Sequence, residues 1–421
     1  MRKRSAAAAT LLGAALLFPT AAQADIAHSA VVSADPVDGT PHVLDGTVRA
    51  IAVVGSTVVV GGNFEQVREA GGGAKATARA NLFAFDLSTG KISTTFVPKI
   101  DGTVYALQPG PDGTVYVGGR FKNVAGAATG PVARLQVSTG KVVTSFKPAV
   151  PRGKVATMVR RGNRLYIGGT FTQVAKKTVT GLARLNATTG ALDPTFAITL
   201  SQPRAGTLKV ANLIVNPQDT RLVVSGTFTR AAGKSRYQIA MIDTGAKQAA
   251  VTSWATEAYT SPCNRQSFDT YMRGMDFSPD GSYFVVTTTG GPYGPRQMCD
   301  TAARWETNKT GSGQKATWIN HTGGDTLLST AVTGAAVYVG GHQRWMDNPY
   351  GSDSPGPGSV ARPGIAALNP KTGKALSWNP TRSRGHGVEA LVATPKGLLV
   401  GSDTDELGHE FHGRIGMFPL R

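Results

Sequence analysis

Val60-Gly61-Gly62-Asn63-Phe64 is the stretch that decides the fold, because it recurs along the chain. Close copies are Val117-Gly118-Gly119-Arg120-Phe121, Ile167-Gly168-Gly169-Thr170-Phe171 and Val224-Ser225-Gly226-Thr227-Phe228. Weaker copies are Val286-Thr287-Thr288-Thr289, Val339-Gly340-Gly341-His342-Gln343 and Val400-Gly401-Ser402-Asp403. The seven copies follow one another at intervals of 50 to 62 residues. Such a period is typical of a repeat architecture.

Every copy has similar neighbours. An alternating apolar run such as Gly46-Thr47-Val48 precedes it, and a turn such as Ser88-Thr89-Gly90 follows it. A last run in each of the first six repeats carries one aromatic residue: Phe96, Phe146, Phe196, Trp254, Trp318 or Trp378. Period-two alternation between turns predicts four short strands per repeat and no long helix. We therefore predict an all-β fold, a seven-bladed β-propeller with four antiparallel strands in each blade.

The repeats predict one propeller domain over residues 25–421. Its blades are expected at approximately 46–100, 101–151, 152–203, 204–263, 264–323, 324–385 and 386–421. The last repeat lacks a fourth strand, and residues 25–45 are spare. Ala30-Val31-Val32-Ser33 or His42-Val43-Leu44 is therefore expected to pair with the C-terminal segment and close the ring, which would leave no open sheet edge.

The N-terminus has the pattern of a secretory signal peptide. Met1-Arg2-Lys3-Arg4 is basic, an apolar run follows it, and Ala22-Gln23-Ala24 suits cleavage. We predict a signal peptide over residues 1–24 and an extracellular mature protein with no membrane span. In an exported protein Cys263 and Cys299 are expected to form a disulfide, which would contribute roughly 3–4 kcal/mol in the chain-entropy model.

The charge of the chain is strongly positive. Its 44 Lys and Arg residues outnumber 26 Asp and Glu residues, for a net charge of +18, and loss of Arg2, Lys3 and Arg4 with the signal peptide would leave +15. Such a surface attracts polyanions, including those of a cell wall. The basic residues are scattered singly and form no zinc-finger spacing, so specific nucleic-acid binding is not expected.

Polar residues at the fourth position of the recurring phrase are candidates for a site. They are Asn63, Arg120, Thr170, Thr227, His342 and Asp403, and together with Arg273 and Glu389 they could surround the mouth of a central channel. The alternative is that they close strand ends with hydrogen bonds. Trp345 and Tyr350, in a Gly- and Pro-rich insertion, could form a stacking platform for a sugar or a partner side chain.

Classical catalytic motifs are missing from the sequence. His409-Glu410-Phe411-His412 does not have the i, i+4 histidine spacing of a helical zinc motif, so a solvated turn is expected there. We assign no catalytic residue, no metal and no cofactor.

Asp276-Phe277-Ser278-Pro279-Asp280-Gly281 and the stretch from Tyr338 to Trp345 resemble a family of secreted bacterial seven-bladed propellers with delta-sixty repeats. We predict a monomeric, non-enzymatic interaction protein, and the resemblance implies that it engages extracellular enzymes. One implied partner is a neutral metalloprotease whose autolysis it promotes. The other is a secreted transglutaminase that uses its glutamines as acyl donors.

Three glutamines are the donor candidates. Gln297 and Gln343 are expected in exposed irregular loops, and Gln66 follows the first copy of the phrase. Two other functions remain open at this point. One is a propeller lyase or glycan-active enzyme with its site at the channel mouth, and the other is a cell-wall or polyanion-binding module.

Overall fold

The computed structural model describes residues 26–421, so the predicted signal peptide lies outside the described residues. Within that range the chain forms 37 β-strands and a single 3-10 turn at Ala258–Thr260. The all-β prediction is therefore confirmed. None of the helical segments described is long and apolar enough to cross a membrane.

The strands of the first three repeats are β1 (His42–Val43), β2 (Val48–Val54), β3 (Thr57–Gly62), β4 (Gln66–Arg68), β5 (Thr77–Ala78), β6 (Leu82–Asp86), β7 (Thr103–Pro109), β8 (Thr114–Arg120), β9 (Asn123–Val124), β10 (Ala127–Ala128), β11 (Val132–Gln136), β12 (Val155–Arg161), β13 (Arg164–Gly169), β14 (Gln173–Val174), β15 (Lys177–Thr178) and β16 (Leu182–Asn186). Those of the fourth and fifth are β17 (Leu200–Pro203), β18 (Val210–Val215), β19 (Arg221–Gly226), β20 (Phe228–Ala231), β21 (Lys234–Ser235), β22 (Ile239–Asp243), β23 (Ala250–Val251), β24 (Met272–Phe277), β25 (Tyr283–Thr288), β26 (Thr301–Glu306) and β27 (Trp318–His321). Those of the last two are β28 (Leu327–Val332), β29 (Val337–Gly341), β30 (Trp345–Met346), β31 (Val360–Ala361), β32 (Ile365–Leu368), β33 (Ala390–Thr394), β34 (Gly397–Gly401), β35 (Glu406–Leu407), β36 (Glu410–Phe411) and β37 (Ile415–Pro419).

Each repeat contributes one antiparallel sheet whose second strand carries the recurring phrase. The sheets have the orders β2-β3-β6, β7-β8-β11, β12-β13-β16, β18-β19-β22-β23, β24-β25-β26-β27, β28-β29-β32 and β33-β34-β37. The first strand of every sheet contacts the first strand of the next sheet, and β33 contacts β2. We call these seven first strands the inner strands.

The prediction of four strands per repeat is wrong for five of the seven sheets. Only the fourth and fifth sheets have a fourth strand. In the first sheet the fourth strand is reduced to a single bridge between Phe85 and Ile92. Ser93 Oγ then accepts the backbone N–H of Phe96 at 3.0 Å, so this amide is satisfied in a turn and not in a ladder. The Phe96 ring is nevertheless fully buried.

Small outer hairpins were not foreseen in the sequence. They connect the second and third strands of their repeats, and they are β4-β5, β9-β10, β14-β15, β20-β21, β30-β31 and β35-β36.

The first glycine of the phrase lets neighbouring sheets approach closely. A Cβ atom on Gly61 would lie 2.5 Å from Cγ1 of Val104 in the next inner strand, and one on Gly168 would lie 2.6 Å from Cγ1 of Val210. Both distances are shorter than any ordinary carbon contact. Gly401 in the last sheet has the same relation to Val48 in the first, at 2.5 Å.

The N-terminal segment crosses from the last sheet to the first. Ser33 N–H and Val37 N–H donate to Pro419 O and Met417 O of β37, both at 2.9 Å, but no strand forms there. His42–Val43 (β1) pairs with β4 in the first repeat. Val43 N–H also donates to Gly413 O at 2.7 Å, so the expected pairing of N- and C-terminal segments is represented by separate backbone hydrogen bonds and not by a strand.

Cys263 and Cys299 form a disulfide, as predicted, with their Cα atoms 5.6 Å apart. Both residues are buried in one apolar cluster with Tyr259, Tyr271 and Trp305. The bond therefore ties the loop before β26 to the core of the fifth repeat.

Candidate functional site

A central cavity of about 590 Å³ is lined by residues from the inner-strand segments of all seven repeats. One equivalent position in each repeat contributes a side chain to its wall. These positions, which we call the bulge ring, are Arg49, Tyr105, Ala156, Ala211, Arg273, Leu328 and Glu389.

A register shift explains why these positions face the cavity. In β2, Val48 pairs with Gly62 and Ala50 pairs with Gly61, so Arg49 has no partner across the ladder. Comparable shifts occur in β7, β12, β18, β24 and β28. In the seventh repeat, Glu389 stands immediately before β33. Such a bulge turns the side chain of the extra residue away from the regular alternation of the strand.

The cavity carries more positive than negative charge. Its basic lining residues are Arg49, Lys154, Lys209 and Arg273, and its acidic lining residue is Glu389. Arg49 forms an ion pair with Glu389 at 2.9 Å, and Lys209 forms one with Asp269 at 2.6 Å. Within residues 26–421, Lys154 and Arg273 have no ion pair.

Lys154 and Arg273 make other contacts. Lys154 Nζ lies 4.6 Å from the centroid of the Tyr105 ring. Burial, together with repulsion from Lys209 and other basic residues, lowers the pKa of Lys154. Arg273 Nη1 donates to the backbone oxygens of Thr270 and Met272 at 3.0 and 2.9 Å. Burial also lowers the pKa of Arg273, whereas the Glu389 carboxylate raises it.

The side chains at the fourth position of the phrase mostly close strand ends. Four accept a backbone N–H at the start of their own inner strand: Thr170 from Lys154 (3.0 Å), Thr227 from Lys209 (3.0 Å), His342 from Thr326 (3.2 Å) and Asp403 from Gly387 (3.0 Å). Asn63 and Arg120 are exposed. Of these six residues only Thr170 lines the cavity. His342 and Asp403 therefore close strand ends with hydrogen bonds, whereas Arg273 and Glu389 line the central cavity.

The histidine at 342 is held from both sides. Its Nε2 accepts the Thr326 N–H, so its Nδ1 carries the proton and donates to His386 O at 3.1 Å. Burial lowers its pKa. The Nε2 bond lies within the sixth repeat and the Nδ1 bond joins the sixth repeat to the seventh, so both ring nitrogens are occupied by backbone groups and neither is available for acid–base chemistry.

Trp345 and Tyr350 differ in their surroundings. The Arg344 guanidinium lies 4.3 Å from the centroid of the half-buried Trp345 ring. Tyr350 is 70% exposed. It belongs to the loop of residues 347–359, which Asn348 fixes by donating to Thr322 O at 2.9 Å and accepting Gly356 N–H at 2.7 Å. Tyr350 is therefore a free aromatic side chain on a well-supported loop.

The three glutamine candidates are not equally accessible. Gln66 is exposed on β4, and Gln297 is half-buried in the loop of residues 289–300, which also presents Tyr293 at 48% exposure. The expectation that Gln343 is exposed is wrong, because its side chain is 1% exposed. Gln343 occupies the place of Phe64 in the recurring phrase, a core position in the regular repeats. That alignment was the sequence signal for its burial.

The His409–His412 segment contains a local pair. His412 Nε2 lies 2.9 Å from Glu410 Oε1 on the hairpin β35-β36. Among residues 26–421, no three His, Cys, Asp or Glu side chains are arranged to hold a metal ion.

Sequence analysis missed Lys154, Lys209 and Asp300. The two lysines were detectable, since each stands directly before the valine that begins an inner strand. Asp300 is 1% exposed, and neither of its carboxylate oxygens has a hydrogen-bond partner of normal geometry. Burial raises its pKa to about 7, although the nearby Gly291 amide opposes the shift. No pattern in the sequence distinguishes this aspartate from an exposed one.

Comparison with known proteins bears on the fold. A family model described as "domain of unknown function (DUF5122) beta-propeller" matches residues 163–196, which include β13 and β16. The chain carries a β-propeller repeat. A solved structure of the computationally designed Ika8 protein is similar at 14% identity and a TM-score of 0.49, over 92% of this chain and 100% of that one. No curated protein matches the sequence.

Proposed function

We infer that the seven sheets are the blades of one closed seven-bladed β-propeller. Two observations support this inference. The inner strands contact one another in series from β2 to β33, and β33 contacts β2. The close approach between Gly401 and Val48 repeats, between the last and first sheets, the relation that Gly61 has with Val104.

We propose that the protein is a secreted, non-enzymatic interaction protein that engages extracellular enzymes. One observation carries the proposal: two loops that depart from the repeat present exposed tyrosines on fixed supports. These are residues 289–300 with Tyr293 and residues 347–359 with Tyr350, which we call the tyrosine loops. The disulfide anchors the first, and Asn348 anchors the second. Rigid, exposed tyrosines are common energetic centres of protein interfaces.

The partners follow from the family resemblance. The sequence resembles dispase autolysis-inducing protein, a secreted propeller. By that resemblance we propose a neutral metalloprotease as the first partner, with promotion of its autolysis as the effect. The second is a secreted transglutaminase, with Gln297 and Gln66 as acyl donors. Gln343 is no longer a candidate, because its amide cannot reach an enzyme cleft from the core.

The interaction proposal is tested by capture from the culture medium of the producing organism, with the chain from Asp25 onward as bait. We expect recovery of a metalloprotease or transglutaminase. The double variant Tyr293→Ala/Tyr350→Ala should recover much less, and Val97→Ala, which trims a 46% exposed side chain in the first repeat, should match the parent. Equal recovery by all three baits would contradict the proposal.

The donor proposal is tested with transglutaminase, a labelled amine and peptide mass spectrometry. We expect label on Gln297, with Gln66 as the second site, and none on Gln343 while the protein is folded. Gln343 thereby serves as an internal control for unfolding. Absence of label on both Gln297 and Gln66 would eliminate the donor role.

A channel-mouth lyase or glycan-active enzyme is less well supported. His342 and Asp403, its sequence-based candidates, are occupied by backbone groups at strand ends. The polyanion-binding alternative has one specific observation in its favour, namely the excess positive charge of the central cavity.

A further inference from the structure

The bulge ring divides the cavity wall into two unlike arcs. In the seventh and first repeats, Glu389 is neutralised by Arg49 at 2.9 Å and also lies 3.5 Å from His386. In the third, fourth and fifth repeats, the lining charges are Lys154, Lys209 and Arg273. We call this second group the basic arc. Positive charge is therefore concentrated on one side of the cavity.

Two members of the basic arc lack an anionic partner among the described residues. Lys209 is paired with Asp269, whereas Lys154 and Arg273 have no carboxylate at ion-pair distance and contact a tyrosine ring, a phenylalanine ring and backbone oxygens. Carboxylates act on these two cations only from further away, Asp269 on Lys154 and Glu389, Asp269 and Asp300 on Arg273. A cation that has lost part of its water without a counter-charge in direct contact is costly. An anion between these groups would offset that cost, with an attraction stronger than in bulk water.

The wall beside these cations leaves room for such an anion. The third and fourth positions of the bulge ring are Ala156 and Ala211, which have small side chains. The positions on either side of this pair are the larger Tyr105 and Arg273. The whole cavity measures about 590 Å³, within the range of small-ligand sites. The free space and the unpaired cations thus belong to the same three repeats.

We propose that the central cavity binds a compact multivalent oxyanion, one that carries carboxylate or phosphate groups, between Lys154 and Arg273. The lysine ammonium offers a compact point charge, and the arginine guanidinium offers a planar set of donors that matches either oxyanion. Lys209 supplies further positive charge, reduced by Asp269. No residue of the tyrosine loops lines this cavity, and the proposal does not depend on the proposed partners.

Isothermal titration calorimetry on the mature protein tests the site, with citrate as the carboxylate probe and pyrophosphate as the phosphate probe. We expect one ion bound per chain, with affinity that falls as salt is raised. Lys154→Gln should weaken binding about tenfold or more, since it removes a charge-assisted hydrogen bond. Lys371→Gln removes the same charge from an exposed turn and should stay within about twofold of the parent.

A second variant tests the site even if Lys154→Gln does not fold. Ala156→Glu adds a carboxylate to the bulge ring while it retains all the cations, so it should abolish binding of both probes. Binding of citrate alone would identify a carboxylate ligand, binding of pyrophosphate alone a phosphate ligand, and binding of both the shared chemistry. No binding by the parent protein, or binding that Lys154→Gln and Ala156→Glu leave unchanged, would overturn the proposal.

Discussion

The first three repeats, which are regular, differ from the fifth and sixth repeats, which are irregular, in the residues of the recurring phrase. In the first three, the phrase supplies a glycine facing the next sheet and a buried phenylalanine. In the fifth repeat Thr287 replaces that glycine, and Gly274 on the inner strand of the same sheet leaves the space instead, since a Cβ there would lie 2.8 Å from Thr287 Oγ1 and 2.8 Å from Ser329 Cα in the next sheet. The fifth repeat thus keeps the sheet and moves the glycine to another strand, whereas the sixth keeps Gly340, where a Cβ would lie 2.6 Å from Val388, and replaces the phenylalanine with Gln343.

The irregular repeats also contain polar groups that packing does not require. Asp300 has both carboxylate oxygens, and Gln343 both amide atoms, buried without a partner of normal geometry. Buried polar groups in this condition reduce stability. The disulfide and the supports of the tyrosine loops stand in the same repeats. We conclude that the irregular repeats give up stability for loop structure, whereas the first three repeats keep the regular packing of the recurring phrase.

The largest expected effect comes from the disulfide. Replacing both Cys263 and Cys299 by Ser should lower the free energy of unfolding by roughly 3–4 kcal/mol. Denaturant unfolding of the variant and the parent measures the difference. Amide hydrogen exchange of the variant should become faster in residues 264–323 and change little in residues 46–203. Equal loosening of both regions would contradict the division between regular and irregular repeats.

The next effect lies in the regular repeats. Gly61→Ala places a methyl group 2.5 Å from Val104 Cγ1 and should cost about 1–3 kcal/mol in unfolding free energy. Gly72→Ala is the matched control, because a Cβ there would meet nothing within 4 Å. Thermal or denaturant unfolding compares them. Similar stabilities for the two variants would show that close packing at the phrase is not what selects glycine.

A pH-dependent effect is expected from Asp300, whose pKa is raised from 3.8 to about 7. Between those values the folded chain holds a proton that the unfolded chain releases, so the free energy of unfolding falls as pH rises through this window. Asp300→Asn should flatten the dependence and be more stable than the parent by roughly 1 kcal/mol or more at about pH 8. Melting curves across the window test this, and an unchanged pH profile would count against it.

The smallest effect concerns Gln343. Gln343→Leu replaces a buried, unpartnered amide with an apolar side chain of similar size, so it should leave stability unchanged or raise it by up to about 1 kcal/mol. Phe64→Leu at the equivalent regular position should instead destabilise, since it removes part of a well-packed ring. Denaturant midpoints compare the two. Destabilisation by Gln343→Leu as large as that by Phe64→Leu would mean that the amide has a structural role.

The sequence was informative where residues repeat. The recurring phrase and its neighbours predicted the antiparallel sheets and their repetition along the chain. The bulge ring could not be predicted, because a one-residue shift between Arg49 and its partner strand leaves no mark in the apolar alternation. The burial of Asp300 and the supports of Tyr350 depend on contacts between distant loops. The position of Gln343 was available from its alignment with Phe64, but its location in an irregular segment obscured it.

Hydrogen exchange on the mature protein, alone and with a secreted neutral metalloprotease, tests the central claim most directly. That claim is that the tyrosine loops of the irregular repeats form the partner surface. It predicts slower exchange in residues 289–300 and 347–359 on addition of the enzyme, with residues 46–203 unchanged. Protection confined to residues 46–203, or none anywhere at saturating enzyme, would contradict it.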